Sequence, residues 1–580
     1  MIKLLERLRQ HLAASPAVLA MTALGLVCGL GASLVILGFR FLIDSGQRSF
    51  IPFGDLGRFE VLDVYWRFFL PVGGALLLGL LFHFFSAAER RVGILHVLER
   101  LQFHEGHLPV RNFILQFIGG VIALISGQSV GREAPSVHLG AAVSSLLGQQ
   151  LQLPNNAVRI MVASGTAAAI AASFNTPLAG VVFAMEVVMM EYTIIGFTPV
   201  IVASVAATVV TRSLYEDGTV FFLPQLGLSS LWELGFILLL GVVLGALSAF
   251  FVAMIRFFAA NGSRLPVVAR FTVCGIFLGV IATQVPEVLG MGYDTVNAAV
   301  LGDIAVTTLA LLALAKFVAS AACVGVGMPG GLIGPTIVIG STIGGLFAYA
   351  GEFIPGFTSS YGLYVMLGMG AMMSATLHAP LAALITLLEL TGNPNLILPA
   401  MLAIIAANIT AREFFSQESV FTLLMRDAGL DFRNDPASQS LRHIAVARVM
   451  NRSFVELDEE IDFDRIETIL SDIPQWIIIR TADDKRLLLP AGDLARVVEQ
   501  ASEPDAERPE TVNLTEIPGQ RTSIAGIHLQ ASMHEARTVL EREGVEALYV
   551  RRPIAPMTDR TFGVILRSDI AQSYTLHRYH

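Results

Sequence analysis

Charged residues are scarce in this chain: Asp, Glu, Lys and Arg together make up only 15% of its 580 residues. A soluble protein usually carries about 25% of such residues. Hydrophobic residues instead reach 54%, and the mean hydropathy is +0.66. This balance excludes an ordinary soluble globular protein and predicts a chain that crosses a membrane several times.

Basic clusters and paired cysteines are lacking as well. The net charge is -9, and no run of Lys or Arg forms the positive patch that a nucleic-acid partner requires. The three cysteines, Cys28, Cys274 and Cys323, lie in apolar segments without paired spacing, as is typical of small buried side chains. No nucleophile beside a base and no cluster of metal ligands stands out. We therefore expect no nucleic-acid partner, no enzymatic activity, no cofactor and no metal site.

The composition changes near Phe421, where long apolar runs give way to frequent charges and α/β patterning. Leucines at helical spacing among Lys and Arg predict a short amphipathic helix at the start of the chain, on the cytoplasmic side. The apolar stretch after it is too long for the core of a signal peptide. The predicted parts are an N-terminal cytoplasmic helix (1–15), a transmembrane domain (16–425), a linker (426–445) and two similar cytoplasmic units (446–500 and 521–575).

Several apolar runs are shorter than the roughly 20 residues needed to span a bilayer, because Gly or Pro interrupts them. Short, broken segments are how transporters and channels form a site at the bilayer midplane. One such segment is repeated: Pro-Leu-Ala at Pro177 and at Pro380 is followed, nine residues after the Pro, by Glu186 and by Glu389. The repeat predicts two related halves, for which an inverted relation is the common arrangement.

Arg132 and Glu133 follow Gly131 between two long apolar runs. Charged residues at membrane depth are costly and usually mark an ion pathway or a gate. Gly131 and Pro135 break a helix, so we expect Glu133 at a helix start, where unpaired N–H groups and the helix dipole attract anions. A carboxylate held there would compete with a bound anion, which predicts a gated anion pathway. The structural alternative is an ion pair between Arg132 and Glu133, although adjacent helix residues do not face each other.

A glycine-rich loop from Gly325 to Pro335 precedes another apolar helix. The loop lacks the Lys-Ser/Thr of a nucleotide-binding loop. It can serve as a surface for close helix packing, or its backbone amides can form a cradle for an anion.

Gly131-Arg132-Glu133-Ala134-Pro135 resembles the Gly-Lys/Arg-Glu-Gly-Pro signature of the CLC family of chloride channels and proton-coupled chloride transporters. Gly330 to Pro335 is similar to the family's Gly-x-Phe-x-Pro loop, with Ile333 at the Phe position. The Pro-Leu-Ala repeat and two C-terminal CBS units also match the family. The resemblance implies an all-α polytopic membrane domain with two related, inverted halves and broken helices, followed by a cytoplasmic α/β CBS-pair domain.

The resemblance further implies a homodimer in the lipid bilayer of the inner (plasma) membrane, with both termini in the cytoplasm. Each subunit would hold one pathway for chloride or a similar small anion. Glu133 would be the gating residue. The implied anion-binding residues are Val92, Gly93, Ile94, Gly131, Arg132, Gly331, Leu332, Ile333 and Phe421.

Two departures from the family concern the anion. The family's first anion loop is Gly-Ser-Gly-Ile-Pro, and here Val92 stands at the Ser position, after Arg91. Phe421 stands at the position of the family's pore tyrosine. Both side-chain hydroxyls that coordinate the central anion in the family are therefore missing, so coordination would fall mainly on backbone N–H groups and helix dipoles.

A third departure concerns protons. Proton-coupled members carry an internal glutamate directly after the position of Glu186, where this chain has Val187. Valine cannot relay a proton, so the sequence predicts a passive, Glu133-gated chloride channel that responds to voltage or pH. A proton-coupled chloride antiporter is the alternative, with water or Glu191 in place of the carboxylate. Glu186 and Glu389 are expected to have structural roles, such as helix capping or hydrogen bonds between helices.

The CBS units resemble domains that hold adenine nucleotides through a Gly-x-x-Thr/Ser-x-x-Asp ribose motif. Asp493 and Asp569 keep the acidic residue, but Leu566 stands where the second unit needs a hydroxyl, and the first unit lacks both the Gly and the hydroxyl. Adenine nucleotide at the CBS pair is therefore disfavoured, and a dimerising, stabilising tail is preferred. A CBS-based nucleotide sensor with vestigial transport is the second alternative to a channel.

Four histidines, His96, His104, His107 and His138, are compatible with metal binding or with pH sensing. A zinc site would need more ligands than their spacing guarantees. The preferred interpretation is a solvated loop around His104 and His107.

Overall fold

The computed structural model describes residues 9, 12, 17–51, 57–192, 194–215, 227–228, 230–354, 359–430, 440–481, 485–501, 509–555 and 558–577. The chain forms two compact units: Val18–Gln149 with Val158–Phe432, and Arg433–His580 with Met1–Ala17 and Gln150–Ala157. Apart from residues 9 and 12, the predicted amphipathic helix (1–15) lies outside the described residues. The same is true of residues 431–439 in the predicted linker.

The first unit is built from helices. In chain order they are α1 (Val18–Gln47), α2 (Val64–His83), α3 (Gly93–Phe103), α4 (Val110–Ile125), α5 (Glu133–Gln150), α6 (Asn155–Phe174), α7 (Pro177–Phe183), α8 (Ile194–Leu214), α9 (Leu234–Gly262), α10 (Val267–Gln284), α11 (Tyr293–Leu301), α12 (Val306–Gly325), α13 (Ile333–Gly351), α14 (Tyr361–Leu377), α15 (Pro380–Thr391), α16 (Ile397–Ile409) and α17 (Val420–Asp427).

Nine helices in the described part of the chain are long and apolar enough to cross a bilayer. Their outward faces carry exposed apolar side chains, such as Leu76, Leu77 and Leu80 on α2. A large exposed apolar surface is unfavourable in water and fits contact with lipid. The chain is therefore a multi-pass membrane protein, as the composition predicted.

The breaks in the apolar runs lie where Gly and Pro predicted them. Pro177 and Pro380 open α7 and α15, at the first helical position, where the missing N–H of proline costs no hydrogen bond. These helices have 7 and 12 residues, too few to span a bilayer. Glu133 is the first residue of α5, as predicted.

The eight helices α1–α8 correspond in order to the eight helices α9–α16. Gly140 of α5 lies against Gly165 of α6, and Gly340 of α13 lies against Gly368 of α14 in the same way. A methyl group at any of these four positions would overlap the facing backbone. The matched crossings confirm the prediction of two related halves.

The repeated glutamates bind across the two halves. The carboxylate of Glu389 accepts the N–H groups of residues 178 and 179 at 2.8 and 2.7 Å, at the start of α7. The carboxylate of Glu186 accepts those of residues 381 and 382 at 3.2 and 2.6 Å, at the start of α15. Because the first N–H groups of a helix lack partners inside it, the predicted capping role is confirmed. Such reciprocal contacts relate the halves by a local twofold axis, as an inverted repeat requires.

The second unit is an α/β structure. Its elements are α18 (Val446–Val449), β1 (Phe454–Asp458), β2 (Glu460–Asp462), α19 (Phe463–Ser471), β3 (Trp476–Arg480), β4 (Arg486–Pro490), α20 (Ala491–Ala501), β5 (Thr511–Asn513), β6 (Thr522–His528), α21 (Met533–Glu543), β7 (Ala547–Ala555), β8 (Thr558–Leu566) and α22 (Arg567–His577). Apart from the short β2, both repeats run strand, helix, strand, strand, helix, which agrees with the predicted pair of similar units.

One six-stranded sheet joins the two repeats in the order β1-β3-β4-β6-β7-β8. Within each repeat the first pairing is parallel and the second antiparallel, and β4 pairs with β6 between the repeats. The apolar run at residues 477–479 forms the centre of β3, and the run at 547–550 forms the first four residues of β7. This repeated architecture agrees with the predicted CBS pair.

The three cysteines, Cys28, Cys274 and Cys323, are free and buried, as predicted. The sulfur atoms of Cys274 and Cys323 lie 3.8 Å apart, although 49 residues separate them. This contact arises from the packing of α10 against α12 and cannot be predicted from the spacing of the cysteines in the sequence.

Candidate anion pathway

Two glycines pair where the chain breaks before α5 and α13. The N–H of Gly131 donates to the carbonyl of Gly331 at 2.8 Å, and the N–H of Gly331 donates back to Gly131 at 2.7 Å. A methyl group at Gly131 would overlap the Glu133 carboxylate, and one at Gly331 would lie 2.6 Å from it. Glycine therefore allows both loops and the carboxylate to share this space.

A cavity of about 300 Å³, here named the Phe421 cavity, collects most of the predicted anion-binding residues. Val92, Gly93, Ile94, Gly331, Leu332 and Phe421 all line it. Four helices begin at its wall, α3, α5, α13 and α17. Helix N-termini attract anions through their free N–H groups and their dipoles. The wall is therefore a positive surface made largely of backbone.

Arg90 and Arg91 add positive charge to the same cavity. Arg91 forms an ion pair with Glu99, and Arg90 donates to the carbonyl of Phe82 at 2.8 Å. Arg91 therefore lies at the wall of the Phe421 cavity, with part of its charge balanced by Glu99.

Two buried amides on α4, Asn112 and Gln116, position the loops at this cavity, and the sequence analysis missed them. Asn112 donates to the carbonyls of residues 88, 89 and 91 at 2.9–3.1 Å. Gln116 accepts the N–H of Gly93 at 2.6 Å and donates to the carbonyl of Pro329 at 3.3 Å. The sequence does contain an indication of their role: two amides stand four residues apart in an apolar helix, where polar groups need partners.

Glu133 is almost fully buried, with 1% of its surface exposed. Its Oε1 accepts a hydrogen bond of 2.8 Å from the phenol of Tyr293. Its side chain lines a small cavity of about 30 Å³, together with Phe174, Phe183 and Ile333. A charged group in such apolar surroundings is costly unless it is held by hydrogen bonds, so protonation of Glu133 would change what holds the side chain in place.

The Arg132 guanidinium has partners other than Glu133. It donates to the carbonyl of Ser173 at 2.6 Å. It also lies over the rings of Phe174 and Tyr293, 5.1 and 5.8 Å from their centroids. Such contacts between a cation and an aromatic ring are attractive, so Arg132 is held without an ion pair to its neighbour.

Three consecutive residues line three different cavities. Arg132 lines a cavity of about 220 Å³, here named the Arg132 cavity, which also contains Arg40 and Asp44. Glu133 lines the small cavity, and Ala134 lines the Phe421 cavity. The Glu133 side chain therefore lies at the boundary between two larger cavities, where a pathway joining them would pass.

Val187 lies in the π-helical turn Ala184–Met189, which continues α7. It is 4% exposed and belongs to the apolar core together with Met185 and Val188. The position that would hold an internal carboxylate is thus filled by hydrocarbon.

Two of the four histidines form a buried pair that the sequence analysis missed. His96 Nδ1 and His138 Nε2 lie 2.9 Å apart, with both side chains buried. His96 lies on α3 and lines the Phe421 cavity, and His138 lies on α5. The available signal was that both residues lie in the first two turns of helices that begin at this cavity. Among the described residues, no group of three His, Cys, Asp or Glu could hold a metal ion.

Asp493 and Asp569 are each the third residue of a helix, α20 and α22. The Asp569 carboxylate accepts the N–H of Leu566 at 2.8 Å, and Asp493 lies 3.4 Å from the guanidinium of Arg496. A methyl group at Gly519 would lie 2.6 Å from the Asp493 carboxylate. Both carboxylates thus have structural contacts in their own repeat.

Comparison with known proteins places these features in a family. The family model described as voltage gated chloride channel matches residues 74–412. A ClcB-like protein of Ralstonia nicotianae, named as a candidate chloride channel, is 31% identical over 429 residues, which are 72% of this chain and 100% of the relative. The H(+)/Cl(-) exchange transporter ClcA of Vibrio cholerae is 31% identical over 336 residues, 56% of this chain and 72% of the relative.

Solved structures show the same fold. A slow cyanobacterial Cl-/H+ antiporter covers 71% of this chain with a TM-score of 0.61 at 22% identity, and the match spans 98% of the antiporter. A eukaryotic CLC transporter covers 98% of this chain and 98% of its own, with a TM-score of 0.57 at 18% identity. The second match therefore includes the C-terminal unit.

Proposed function

This chain belongs to the CLC family of voltage gated chloride channels and their relatives, and we propose that it exchanges chloride, or a similar small anion, for protons. The 31% identity with an H(+)/Cl(-) exchange transporter supports exchange over the passive channel expected from Val187. The observation that carries the proposal is the place of Glu133. A buried carboxylate at the boundary between two cavities can be replaced by an anion and can also take up a proton.

Anion binding is assigned to the Phe421 cavity. An anion that leaves water loses its hydration, and N–H groups at four helix starts supply hydrogen bonds and a favourable potential in exchange. Val92 and Phe421 present hydrocarbon at this wall, so the backbone carries most of the recognition. This arrangement suits small anions and selects among them mainly by size and hydration.

Coupling between anion and proton follows from competition at Glu133. The ionised carboxylate repels an anion at a nearby site, and a bound anion in turn favours the protonated form. Two ligands that alter each other's binding are coupled reciprocally. A Glu133 side chain that moves between the anion site and the Arg132 cavity would therefore exchange one ligand for the other.

A passive, Glu133-gated channel is the second candidate. Val187 favours it, because hydrocarbon fills the position of the internal carboxylate. The likeness to a ClcB-like relative, named as a candidate chloride channel, also favours it. The two candidates differ in one observable: exchange drives protons uphill when an anion gradient is imposed, whereas a channel does not.

We place the protein in the inner (plasma) membrane as a homodimer with one pathway per subunit and with both termini in the cytoplasm. Family membership supports these assignments. The CBS pair is assigned a dimerising role in preference to nucleotide binding, because the Asp569 carboxylate already accepts the N–H of Leu566. Light scattering of the detergent-solubilised protein measures whether it is a dimer. Calorimetric titration with AMP and ATP measures whether the CBS pair binds nucleotide.

The deciding experiment is flux from proteoliposomes with chloride and pH recorded together. Uphill proton movement driven by a chloride gradient is the expected result. Chloride efflux without proton movement would establish the passive channel instead. Dimeric protein that moves no chloride would then be tested with fluoride, bromide and nitrate. Nucleotide binding without flux of any anion would favour the sensor with vestigial transport.

A further inference from the structure

We infer that the pair His96–His138 carries protons between the Phe421 cavity and Glu133, in place of the carboxylate that is missing at Val187. The inference rests on the proposed exchange function and deepens it. Proton transfer through a dry protein interior needs titratable groups or water. The pair joins a cavity-lining residue to the helix that begins with Glu133.

The direction of the hydrogen bonds assigns the tautomer of each ring. The Nε–H of Arg100 donates to Nε2 of His96 at 3.1 Å. Arginine has no acceptor, so His96 Nε2 carries a lone pair and His96 Nδ1 carries the proton. That proton is donated to Nε2 of His138, 2.9 Å away. The neutral His138 therefore carries its own proton on Nδ1.

His138 Nδ1 has no hydrogen-bond partner among the described residues, although its side chain is fully buried. A buried donor without an acceptor is costly, and it marks a place where a water molecule or a carboxylate oxygen can bind. His138 lies five residues after Glu133 on α5, about 7.5 Å along the helix axis. The two residues point to different sides of the helix, so a short chain of water molecules together with movement of the Glu133 side chain would join His138 Nδ1 to the carboxylate.

Arg100 contacts the pair directly, as the donor to His96, and His104 is exposed at the end of α3. The other charged groups near the pair have partners of their own. The remaining groups on α3, on α17 and in the turn after α7 are the ion pairs Arg91–Glu99, Arg426–Glu418 and Arg256–Asp427, and the capping residue Glu186. The two imidazoles are thus the titratable groups that connect the cavity wall to α5.

Each proton that enters the histidine pair is matched by one proton that leaves it. A hydronium ion in the Phe421 cavity gives a proton to His96 Nε2 after the Arg100 side chain turns away, and it is left as water. The Nδ1 proton of His96 then passes to His138 Nε2, and His138 releases its Nδ1 proton toward Glu133. One proton has entered, one has left, and both rings are neutral again with the hydrogen bond between them reversed. Rotation of the rings, or transfer in the opposite direction, restores the starting state.

The test compares the wild type with His96→Gln and His138→Gln in proteoliposomes, with His104→Gln as the control. Glutamine keeps hydrogen-bonding capacity but cannot take up a proton at neutral pH. Chloride flux should persist in both variants, while proton flux falls by about tenfold or more, as expected when a proton-transfer group is removed. His104→Gln should keep the wild-type ratio of proton flux to chloride flux.

The outcomes separate the relay from the exchange function. A wild type that moves chloride without protons contradicts the proposed exchange itself. An exchanging wild type whose His96→Gln and His138→Gln variants keep the normal flux ratio overturns the relay alone. Loss of the folded protein, or of both fluxes together, in both variants would assign the pair a packing role and would also overturn the relay.

Discussion

The phenol of Tyr293, the first residue of α11 in the second half, donates a hydrogen bond of 2.8 Å to Glu133, the first residue of α5 in the first half. The Tyr293 ring also lies 5.8 Å from the Arg132 guanidinium. One side chain thus contacts the cation and the carboxylate of the same motif across the two halves. This contact holds Glu133 at the boundary between the two larger cavities.

Tyr293→Phe should raise anion flux at neutral pH. The change removes a hydrogen bond to a carboxylate, which is worth about 1.5–3 kcal/mol, or roughly tenfold and more in the equilibrium between held and released side chain. Stopped-flow chloride efflux from proteoliposomes measures the effect. Tyr349→Phe, at a more exposed tyrosine of α13, is the matched control. Equal flux in wild type and Tyr293→Phe would show that this hydrogen bond does not hold a gate.

Glu133→Gln should abolish proton movement and make chloride flux independent of pH. Glutamine has nearly the shape of the protonated carboxyl group but does not ionise in this pH range. The pathway would therefore stay in the state that protonation favours. Chloride efflux recorded between pH 4.5 and 8 measures the profile. A pH dependence that matches the wild type would remove Glu133 from the role of gate.

Much of the fold could be predicted because the determining chemistry is local. Pro177 and Pro380 occupy the first positions of their helices, where proline is favoured, and a run of apolar residues needs no distant partner to favour a membrane. The repeat predicted a structural role for Glu186 and Glu389, because it places a glutamate at equivalent positions of the two halves, but it did not identify the helix starts, 196 and 210 positions away, that they cap.

The contacts that complete the site could not be predicted, because they join residues far apart in the chain. Tyr293 binds a carboxylate 160 positions away, and Gln116 joins Gly93 to Pro329. The meeting of His96 with His138 depends on how α3 packs beside α5. Periodicity indicates which face of a helix is buried, but it does not identify the helix on the other side.

Val92→Ser combined with Phe421→Tyr should strengthen chloride binding by about tenfold, since each hydroxyl offers a hydrogen bond to an anion. Both residues line the Phe421 cavity, where the family has hydroxyls. Isothermal titration calorimetry with chloride in detergent measures the affinity. Phe415→Tyr adds a hydroxyl at an exposed position outside this cavity and should leave the affinity unchanged. Unaltered chloride affinity in the double variant would move the binding site away from the Phe421 cavity.

Gly165→Ala should destabilise the membrane unit. The added methyl group would overlap the carbonyl of Gly140 and the hydroxyl of Ser144, and overpacking of this kind typically costs about 1–3 kcal/mol. Gly73→Ala on α2 is the matched control, because no heavy atom lies within 4 Å of the new methyl group. There the better helix propensity of alanine, worth up to about 1 kcal/mol, should leave stability equal or higher. Thermal unfolding in detergent, followed by size exclusion, compares the two. An equal Tm for both variants would mean that α5 and α6 can separate at this crossing without loss, contrary to the close packing seen between Gly140 and Gly165.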